Sequence, residues 1–125
     1  MPFAPAVMED RLENVVEVPD SLKKSYSPYM MFTFNVKKEM QDKIIAGVHQ
    51  ADKTARAQTV NPQIYPKFYD IISKFEQKTG IPAVLNTSFN LHGYPIVLSV
   101  CDSIEVFLNS ELDILVIENW LITKK

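Results

Sequence analysis

Residues 81–97 read IPAVLNTSFNLHGYPIV, and this stretch decides the fold. Its apolar start, Ile81 to Leu85, predicts a buried strand, because short continuous apolar runs are typical of sheet interiors. A polar elbow, Asn86 to Gly93, follows directly. At the carboxyl end of a strand, such a loop can present amides, a hydroxyl and backbone N–H groups to a small anion. The same side chains also stabilise turns by bonding their own backbone, and the residues alone favour that second interpretation.

The segments on either side of this stretch predict helices with defined ends. Before it, Pro66 stands where a helix would begin and Gly80 stands just past its end. The apolar residues between them recur at helical spacing: Phe68, Ile71, Ile72 and Phe75. After it, Ser99 and Asp102 form an N-cap and a capping-box-like start for a second helix. Leu112–Ile117 then predicts a strand of the continuous apolar kind found inside sheets.

The first half of the chain predicts shorter extended segments. Phe3–Val7 is interrupted by proline, which fits an edge strand or an extended entry segment better than a central strand. Tyr29–Val36 alternates in a way that indicates a strand with one buried face. Residues 44–48 and 54–60 predict two further extended pieces. The whole order predicts an α/β (α+β) fold, a mixed twisted sheet with flanking helices, in a single domain spanning residues 1–125.

The composition restricts the class of protein. A chain of 125 residues with 46% hydrophobic content suits one soluble domain. It has no run of eighteen apolar residues and no signal-peptide pattern at its start, which argues against a membrane protein. The single cysteine, Cys101, favours a cytoplasmic location. The 13 basic residues are scattered and no metal-ligand spacing occurs, so we expect neither nucleic acid nor a metal ion as a partner.

The motifs of this chain resemble those of a known family. Thr79–Val97 is similar to the Leu-Asn-Thr-Ser-Phe-Asn-x-x-Gly-Glu-Pro-Ile-Val signature of the carbamoyltransferases that modify nodulation factors and antibiotics. His49–Val60 resembles the family's His-x-Asp-Gly-Thr-x-Arg-x-Gln-Thr-Val stretch, with one extra residue between His and Asp. Further matches follow the family's order along the chain: Pro2–Val7, Ser27–Met30 and Leu112–Leu121. The resemblance spans essentially the whole chain.

The resemblance implies a YrdC-like domain, in which carbamoyl phosphate and ATP react to give carbamoyl adenylate. The carbamoyl group then passes to a hydroxyl acceptor in a preceding actin-like domain, which binds the metal of the enzyme. This chain would then be the carboxy-terminal domain, truncated at its amino terminus relative to the family. Its expected partner is the actin-like domain, in cis or as a separate chain. A homodimer is a further expectation, since a truncated domain exposes an apolar face.

Matched positions imply roles for individual residues. Arg56 is the candidate for binding phosphate or carbamoyl phosphate, because a planar guanidinium meets phosphate oxygens bidentately and keeps its charge. The simpler alternative is a surface arginine paired with a carboxylate such as Asp52. Three elbow residues would orient carbamoyl phosphate or the nucleotide: Asn86, Ser88 and Asn90. Gly93 would allow close backbone approach. His49 and Asp52 match positions near the same pocket.

Some departures from the family open alternatives. The family segment that carries a Gly-Pro-Arg-Ala-Leu-Gly-like motif and further basic residues is not in this sequence, and Lys53 stands where the family has glycine. Tyr94 replaces a family glutamate. Adenylation needs strong electrostatic stabilisation of phosphate charge, so we expect the isolated chain to be inactive. The alternatives are a degenerate, non-catalytic phosphate-binding or interaction module of the same fold, and a small enzyme of another class.

Overall fold

The computed structural model describes residues 3–22 and 27–124. Within these ranges the chain forms eight short strands and four α-helices, and its internal contacts divide it into two compact units, residues 1–87 and 88–125. The strands are β1 (Ala4–Met8), β2 (Val16–Glu17), β3 (Phe34–Val36), β4 (Thr54–Ala55), β5 (Gln58–Val60), β6 (Ala83–Asn86), β7 (Ile114–Ile117) and β8 (Trp120–Thr123). The helices are α1 (Leu12–Val15), α2 (Lys38–Gln41), α3 (Pro66–Thr79) and α4 (Val100–Leu108).

The first sheet of unit 1 has the strand order β5-β1-β6. β1 runs parallel to β5 and antiparallel to β6, with Ala6 opposite both Gln58 and Val84. The expected mixed sheet of an α/β fold is therefore confirmed. The prediction of an edge strand near Phe3 is wrong, because β1 is the central strand and its five residues are all buried. Pro2 of the matched motif lies outside the described residues.

The second sheet of unit 1 has the order β2-β3-β4, with all pairs antiparallel. Its buried side chains, among them Val16 and Phe34, pack with Val7 of β1 in one apolar cluster. The strand predicted over Tyr29–Val36 is only three residues long. Tyr29 and Met31 are 74% and 78% exposed, so the aromatic and methionine run before β3 does not enter the core.

Helix α3 covers the other face of the first sheet, where Ile72 packs with Ala6, Met8 and Val60. This helix is confirmed with its predicted ends, since Pro66 occupies its first turn and Gly80 follows it with a φ of 73°. The strand predicted over residues 44–48 is wrong, because Ile45–Gly47 forms a 3-10 turn. The extended piece predicted over residues 54–60 is divided between two sheets, as β4 and β5.

Unit 2 consists of α4 and the β7–β8 hairpin. The predicted capping box is present: the Ser99 hydroxyl accepts from the Asp102 N–H, and the Asp102 carboxylate accepts from the Ser99 N–H. Phe107 of α4 and Leu115 of β7 are buried. The prediction of a sheet-interior strand is wrong, because β7 pairs with β8 alone among the described strands and Val116 is 63% exposed.

The buried strand predicted at Ile81 is shorter and less covered than expected. β6 begins at Ala83 and includes Asn86, so the first elbow residue belongs to the strand itself. Ala83 is buried, whereas Leu85 is 44% exposed. No helix in the described ranges is long and apolar enough to span a membrane.

Candidate functional site

A cavity of about 410 Å³ in unit 1 contains three of the seven predicted site residues. Its lining residues are Phe3, Thr33, His49, Asp52, Thr54, Ala55 and Arg56. Arg56, His49 and Asp52 are thus brought together by the short segment that enters and follows β4. A cavity of this size falls in the range of small-molecule sites.

The segment from His49 to Thr54 forms a closed loop. Two backbone hydrogen bonds close it: the His49 N–H donates to the Thr54 carbonyl at 2.7 Å, and the Lys53 N–H donates to the His49 carbonyl at 2.8 Å. Asp52 lies inside this loop and accepts from the Thr54 hydroxyl at 2.7 Å and from the Thr54 N–H at 3.1 Å. The hydrogen bond from the Thr54 hydroxyl, followed by that from its N–H and by His49, lowers the pKa of Asp52 below its ordinary value.

His49 is oriented by the same carboxylate. Its Nδ1 lies 3.0 Å from Asp52 Oδ1. An ionised carboxylate can only accept, so the hydrogen of this bond resides on Nδ1. Nε2 then carries the lone pair in the neutral ring, and the described residues supply no partner for it. The side chain of His49 is 50% exposed, so Nε2 is accessible to a ligand.

Lys53 adopts the left-handed backbone conformation, with a φ of 57°. A side chain makes this conformation unfavourable, whereas glycine adopts it freely. Glycine, which the resemblance implies at this position, would adopt the conformation without strain. The Lys53 ammonium donates to Gln50 Oε1 at 2.9 Å, and Gln50 Nε2 donates in turn to the Val48 carbonyl at 3.1 Å. Lys53 is therefore held against its own loop and does not line the cavity.

Arg56 follows β4 at the point where the chain passes from the second sheet to the first. It is exposed, while its neighbours Ala55 and Ala57 are buried. No carboxylate among the described residues lies within ion-pairing distance of its guanidinium. The alternative of an Arg56–Asp52 pair is wrong, because Asp52 bonds His49 and Thr54 instead. Arg11, by contrast, lies 3.5 Å from Glu76.

Asn86 contributes its amide to the first sheet. Asn86 Nδ2 donates to Gln58 Oε1 at 2.6 Å, and Gln58 Nε2 donates to the Pro28 carbonyl at 3.0 Å. The chain of bonds crosses from β6 over β1 to β5 and ties the segment after Ser27 to the sheet edge. Asn86 lies in unit 1 but does not line the cavity that contains Arg56.

Residues 88–93 of the elbow belong to unit 2. Asn90 Nδ2 donates to the Leu91 carbonyl at 3.1 Å and to the Tyr94 carbonyl at 2.9 Å, so its amide stabilises its own turn. Gly93 has a φ of 84°, which glycine adopts without strain. Ser88 is exposed. For Asn90, the turn-forming role favoured by the residues alone is the one observed.

Four cavity residues were not among the predicted site residues: Phe3, Thr33, Thr54 and Ala55. Thr54 could have been found, because an Asp followed two residues later by a hydroxyl or N–H donor forms a local turn. Phe3 and Thr33 come from the start of β1 and from the segment before β3, and only the tertiary structure brings them to the cavity. No group of three or more His, Cys, Asp or Glu side chains within residues 3–22 and 27–124 is arranged to hold a metal ion.

Unit 1 is thus an α/β unit with a small cavity that presents a guanidinium without a carboxylate partner among the described residues, a feature of anion-binding proteins. The chain matches the family described as carbamoyltransferase C-terminus over residues 1–124, and it belongs to that family. The predicted resemblance is confirmed. An uncharacterized protein of Methanocaldococcus jannaschii is 44% identical over 124 residues, which cover 99% of this chain and 23% of that protein.

Two nodulation proteins are similar over the same length. NolNO of Sinorhizobium fredii is 40% identical, with 99% of this chain and 18% of that protein covered. NolO of Bradyrhizobium diazoefficiens is 38% identical, with 99% of this chain and 22% of that protein covered. The chain therefore spans 18–23% of the length of these curated relatives.

Proposed function

We propose that this region supplies part of the site at which a longer carbamoyltransferase binds carbamoyl phosphate and ATP and forms carbamoyl adenylate. The observation that carries the proposal is the Arg56 guanidinium, which has no carboxylate partner among residues 3–22 and 27–124 and lies beside His49 in a cavity of about 410 Å³. The family membership supports the class of reaction. We propose the identity of both substrates, carbamoyl phosphate and ATP, and the formation of carbamoyl adenylate from them.

The chemistry of the cavity suits a phosphoryl group. Arg56 can meet two phosphate oxygens with parallel N–H donors and needs no change of protonation to do so. His49 Nε2 can add a further hydrogen bond to an oxygen or to the carbamoyl amide, depending on its protonation. Because Asp52 fixes the ring through Nδ1, Nε2 keeps a defined direction.

Asp52 lines the same cavity and would repel a phosphate dianion if its charge were bare. Its Oδ1 receives three contacts, from the Thr54 hydroxyl, the Thr54 N–H and His49 Nδ1. These donors disperse the negative charge on the side of Asp52 that they face. The arrangement therefore uses the carboxylate to orient His49 while Arg56 supplies the charge that attracts the ligand.

Four predicted residues have a weaker case as ligand contacts. Asn90 Nδ2 already donates to two carbonyls, so its side chain has only its oxygen left for a ligand, whereas Asn86 Nδ2 donates to Gln58 and keeps a second N–H. Ser88 and Gly93 keep an exposed hydroxyl position and an accessible backbone. We propose that Ser88 and Gly93 contact carbamoyl phosphate or the nucleotide, with Asn86 and Asn90 in supporting positions.

The remaining parts of the enzyme are proposed from the family relation. The matched region makes up only 18–23% of the length of these relatives. We propose that an actin-like, metal-binding domain precedes this region, selects the hydroxyl acceptor and supplies the further basic residues that adenylation needs. A cytoplasmic location fits substrates of this kind.

Isothermal titration tests the role of Arg56. Carbamoyl phosphate, ATP and inorganic phosphate are titrated separately into the 125-residue chain and into two variants, Arg56→Ala and Arg11→Ala. We expect Arg56→Ala to weaken carbamoyl phosphate binding by about 10-fold or more, since one charge-assisted hydrogen-bond pair contributes roughly 1.5–3 kcal/mol. Arg11→Ala removes the same charge from a residue that pairs with Glu76 of α3, and it should change the affinity for carbamoyl phosphate by less than about 2-fold.

Two results would reject the proposal. The first is an absence of binding to carbamoyl phosphate and ATP when the titration is followed by NMR up to millimolar ligand, in a chain whose spectrum shows that it is folded. The second is an equal loss of affinity in the Arg56→Ala and Arg11→Ala variants, which would mean that only the net charge matters.

A further inference from the structure

The sheet of unit 1 has an open edge at β6. In the order β5-β1-β6, β6 pairs with β1 on one side, and no strand among the described residues pairs with its other side. An edge strand of this kind presents unpaired N–H and C=O groups that can template another strand. Folded proteins usually protect such edges with charged side chains, proline or a covering loop.

An apolar groove of about 370 Å³ follows the open edge of β6. Its floor is formed by Val84 and Leu85 of the strand. Phe75 of α3 forms one wall, on the face of the sheet where Val84 packs with α3. Ile45 forms the other wall, in the 3-10 turn whose Gly47 lies against Leu85 on the opposite face.

The two layers that enclose the sheet therefore extend past its last strand. The walls and floor remain accessible, with Phe75 39%, Leu85 44% and Ile45 58% exposed. A strand added beside β6 would have Phe75 over one face and Ile45 over the other. Both of its faces would be covered by apolar side chains, which is the environment of an interior strand and calls for an apolar sequence on both faces.

We propose that the open edge of β6 accepts an additional strand, apolar on both faces, from the polypeptide that precedes this region in its longer relatives. The matched region is the carboxyl terminus of the family and covers 18–23% of the relatives, so most of their chain lies before it. A segment connected covalently acts at an effective concentration of roughly millimolar. A four-residue edge offers few hydrogen bonds, and it suits such an intramolecular partner better than a separate protein.

The charge in the groove further specifies the occupant. Lys43 is the charged residue among the described lining residues, and no carboxylate lines the groove beside it. A strand that carries Asp or Glu at the position facing Lys43 would neutralise it. Two copies of this chain joined edge to edge would instead place two Lys43 ammonium groups on one shared groove, and like charges at such short range are unfavourable.

This inference goes beyond the proposed function. None of the groove residues named above lines the cavity that contains Arg56. Loss of strand docking would leave the phosphate contacts of Arg56 in place, and loss of ligand binding would leave the groove intact, so the two proposals fail separately.

Hydrogen exchange tests the docking. Amide exchange at Ala83–Asn86 is measured in the 125-residue chain, and exchange of the aligned segment is measured in the intact Methanocaldococcus jannaschii relative, which is 44% identical. We expect the β6 amides to exchange about 100-fold more slowly in the intact relative, because a paired edge opens only with its sheet. Equal and fast exchange in both proteins would overturn the proposal.

A matched pair of variants tests the groove itself. The part of the relative that precedes the matched region is produced as a separate chain and titrated into the 125-residue chain and its variants. Ile45→Lys places a charge in the groove, whereas Ile64→Lys places one at a similarly exposed isoleucine elsewhere, at 64% against 58% exposure. We expect Ile45→Lys to weaken binding by about 10-fold or more and Ile64→Lys by less than about 2-fold.

Two outcomes of these experiments would overturn the inference. If both lysine variants weaken binding equally, the preceding polypeptide docks elsewhere. If the β6 amides of the 125-residue chain become protected as its own concentration rises, a second copy occupies the groove. If the separate chain does not fold, the exchange measurement on the intact relative decides.

Discussion

The loop from His49 to Thr54, together with Arg56, and the elbow from Asn86 to Gly93 are both rich in polar side chains, yet these polar groups have different uses. Both are polar segments beside a strand. In the loop, backbone bonds and Asp52 complete the turn, and the Arg56 guanidinium and His49 Nε2 remain without described partners. In the elbow, the amides themselves complete the structure, since Asn86 bonds Gln58 and Asn90 bonds two carbonyls.

The difference follows from the chemistry of the side chains. A neutral amide carries the same donor and acceptor as a peptide group, so it readily replaces backbone hydrogen bonds in a turn. A guanidinium has five donors and a permanent charge, and one turn cannot satisfy it. A motif rich in Asn and Ser therefore indicates a turn geometry more directly than it indicates a ligand contact. Polar groups that have no hydrogen-bond partner among the described residues are the better candidates for ligand binding.

The largest expected effect on stability comes from removing the side-chain amide of Asn86, the elbow residue that lies in the first sheet. Asn86→Ala removes a 2.6 Å hydrogen bond and leaves Gln58 Oε1 without its donor in a partly buried position. We expect a loss of about 1–2 kcal/mol of unfolding free energy, because an unmet buried acceptor costs its full desolvation. Urea unfolding of unit 1, followed by NMR signals of β1, measures the change.

Asn35→Ala is the matched control for that variant. Asn35 Nδ2 donates to Glu17 Oε2 at 3.3 Å on the exposed side of the second sheet, so its loss should change stability by less than about 0.5 kcal/mol. If Asn86→Ala instead leaves stability unchanged while carbamoyl phosphate binding falls, the elbow behaves like the loop and the comparison fails.

A second prediction concerns the elbow turn. Gly93→Ala adds a methyl group at a φ of 84°, with no heavy atom within 4 Å of the new Cβ, so the cost is backbone strain alone. We expect a destabilisation of about 1 kcal/mol. Trp120, the single tryptophan of the chain, lies in unit 2 and reports its unfolding by fluorescence.

Gly93→Asn separates strain from contact at the same position. Asn tolerates the left-handed conformation better than Ala does, so its loss should be smaller than that of Gly93→Ala. An equal loss for both variants would show that the added volume matters and that the space beside Gly93 is filled in solution.

The elements that the sequence predicted best are those with local signals. The α3 ends at Pro66 and Gly80 and the Ser99–Asp102 capping box depend on residues a few positions apart, and both are observed. The place of a strand in a sheet depends on distant partners. Pro5 in β1 suggested an edge, but β5 and β6, which lie more than 45 residues later in the chain, flank β1 on both sides.

The site shows the same division between features with a local sequence signal and features that depend on distant parts of the chain. Arg56, His49 and Asp52 share one short segment, so their proximity could be predicted. Phe3 and Thr33 reach the cavity only through the pairing of their neighbouring strands. The left-handed backbone at Lys53 also has no signal in this chain itself, because lysine is rare at such positions. The glycine that the resemblance implies there is the residue typical of a left-handed conformation.

The third prediction concerns Lys53, whose backbone is in the strained left-handed conformation. It tests whether the stability of the loop depends on the Lys53 side chain. Lys53→Gly removes the unfavourable left-handed side chain and the exposed bond to Gln50. We expect a gain of roughly 0.5–1 kcal/mol in stability, because the strain relief exceeds the loss of one exposed hydrogen bond and the greater freedom of glycine when unfolded. Lys53→Ala keeps the strain and removes only the ammonium group, so it should not stabilise. A gain of equal size in Lys53→Ala would trace the effect to charge.

The smallest expected effect is on the titration of Asp52. Thr54→Val removes the hydroxyl that contributes most to the low pKa of this carboxyl, while the Thr54 backbone donor stays. We expect the pKa of Asp52 to rise toward its ordinary value of 3.8 in the variant and to stay low in Thr54→Ser, which keeps the hydroxyl. Carbon-13 NMR of the Asp52 carboxyl group measures both.

The direction of the pH dependence follows from the lowered pKa. Asp52 binds protons less readily in the folded chain than in the unfolded one, so its contribution to stability is fully present above pH 3.8 and is lost as the pH falls through the folded pKa. Thr54→Ser should therefore be more stable than Thr54→Val above pH 3.8, and the difference should shrink in stronger acid. A difference that grows in acid would mean that the Thr54 hydroxyl does not act through the Asp52 carboxylate.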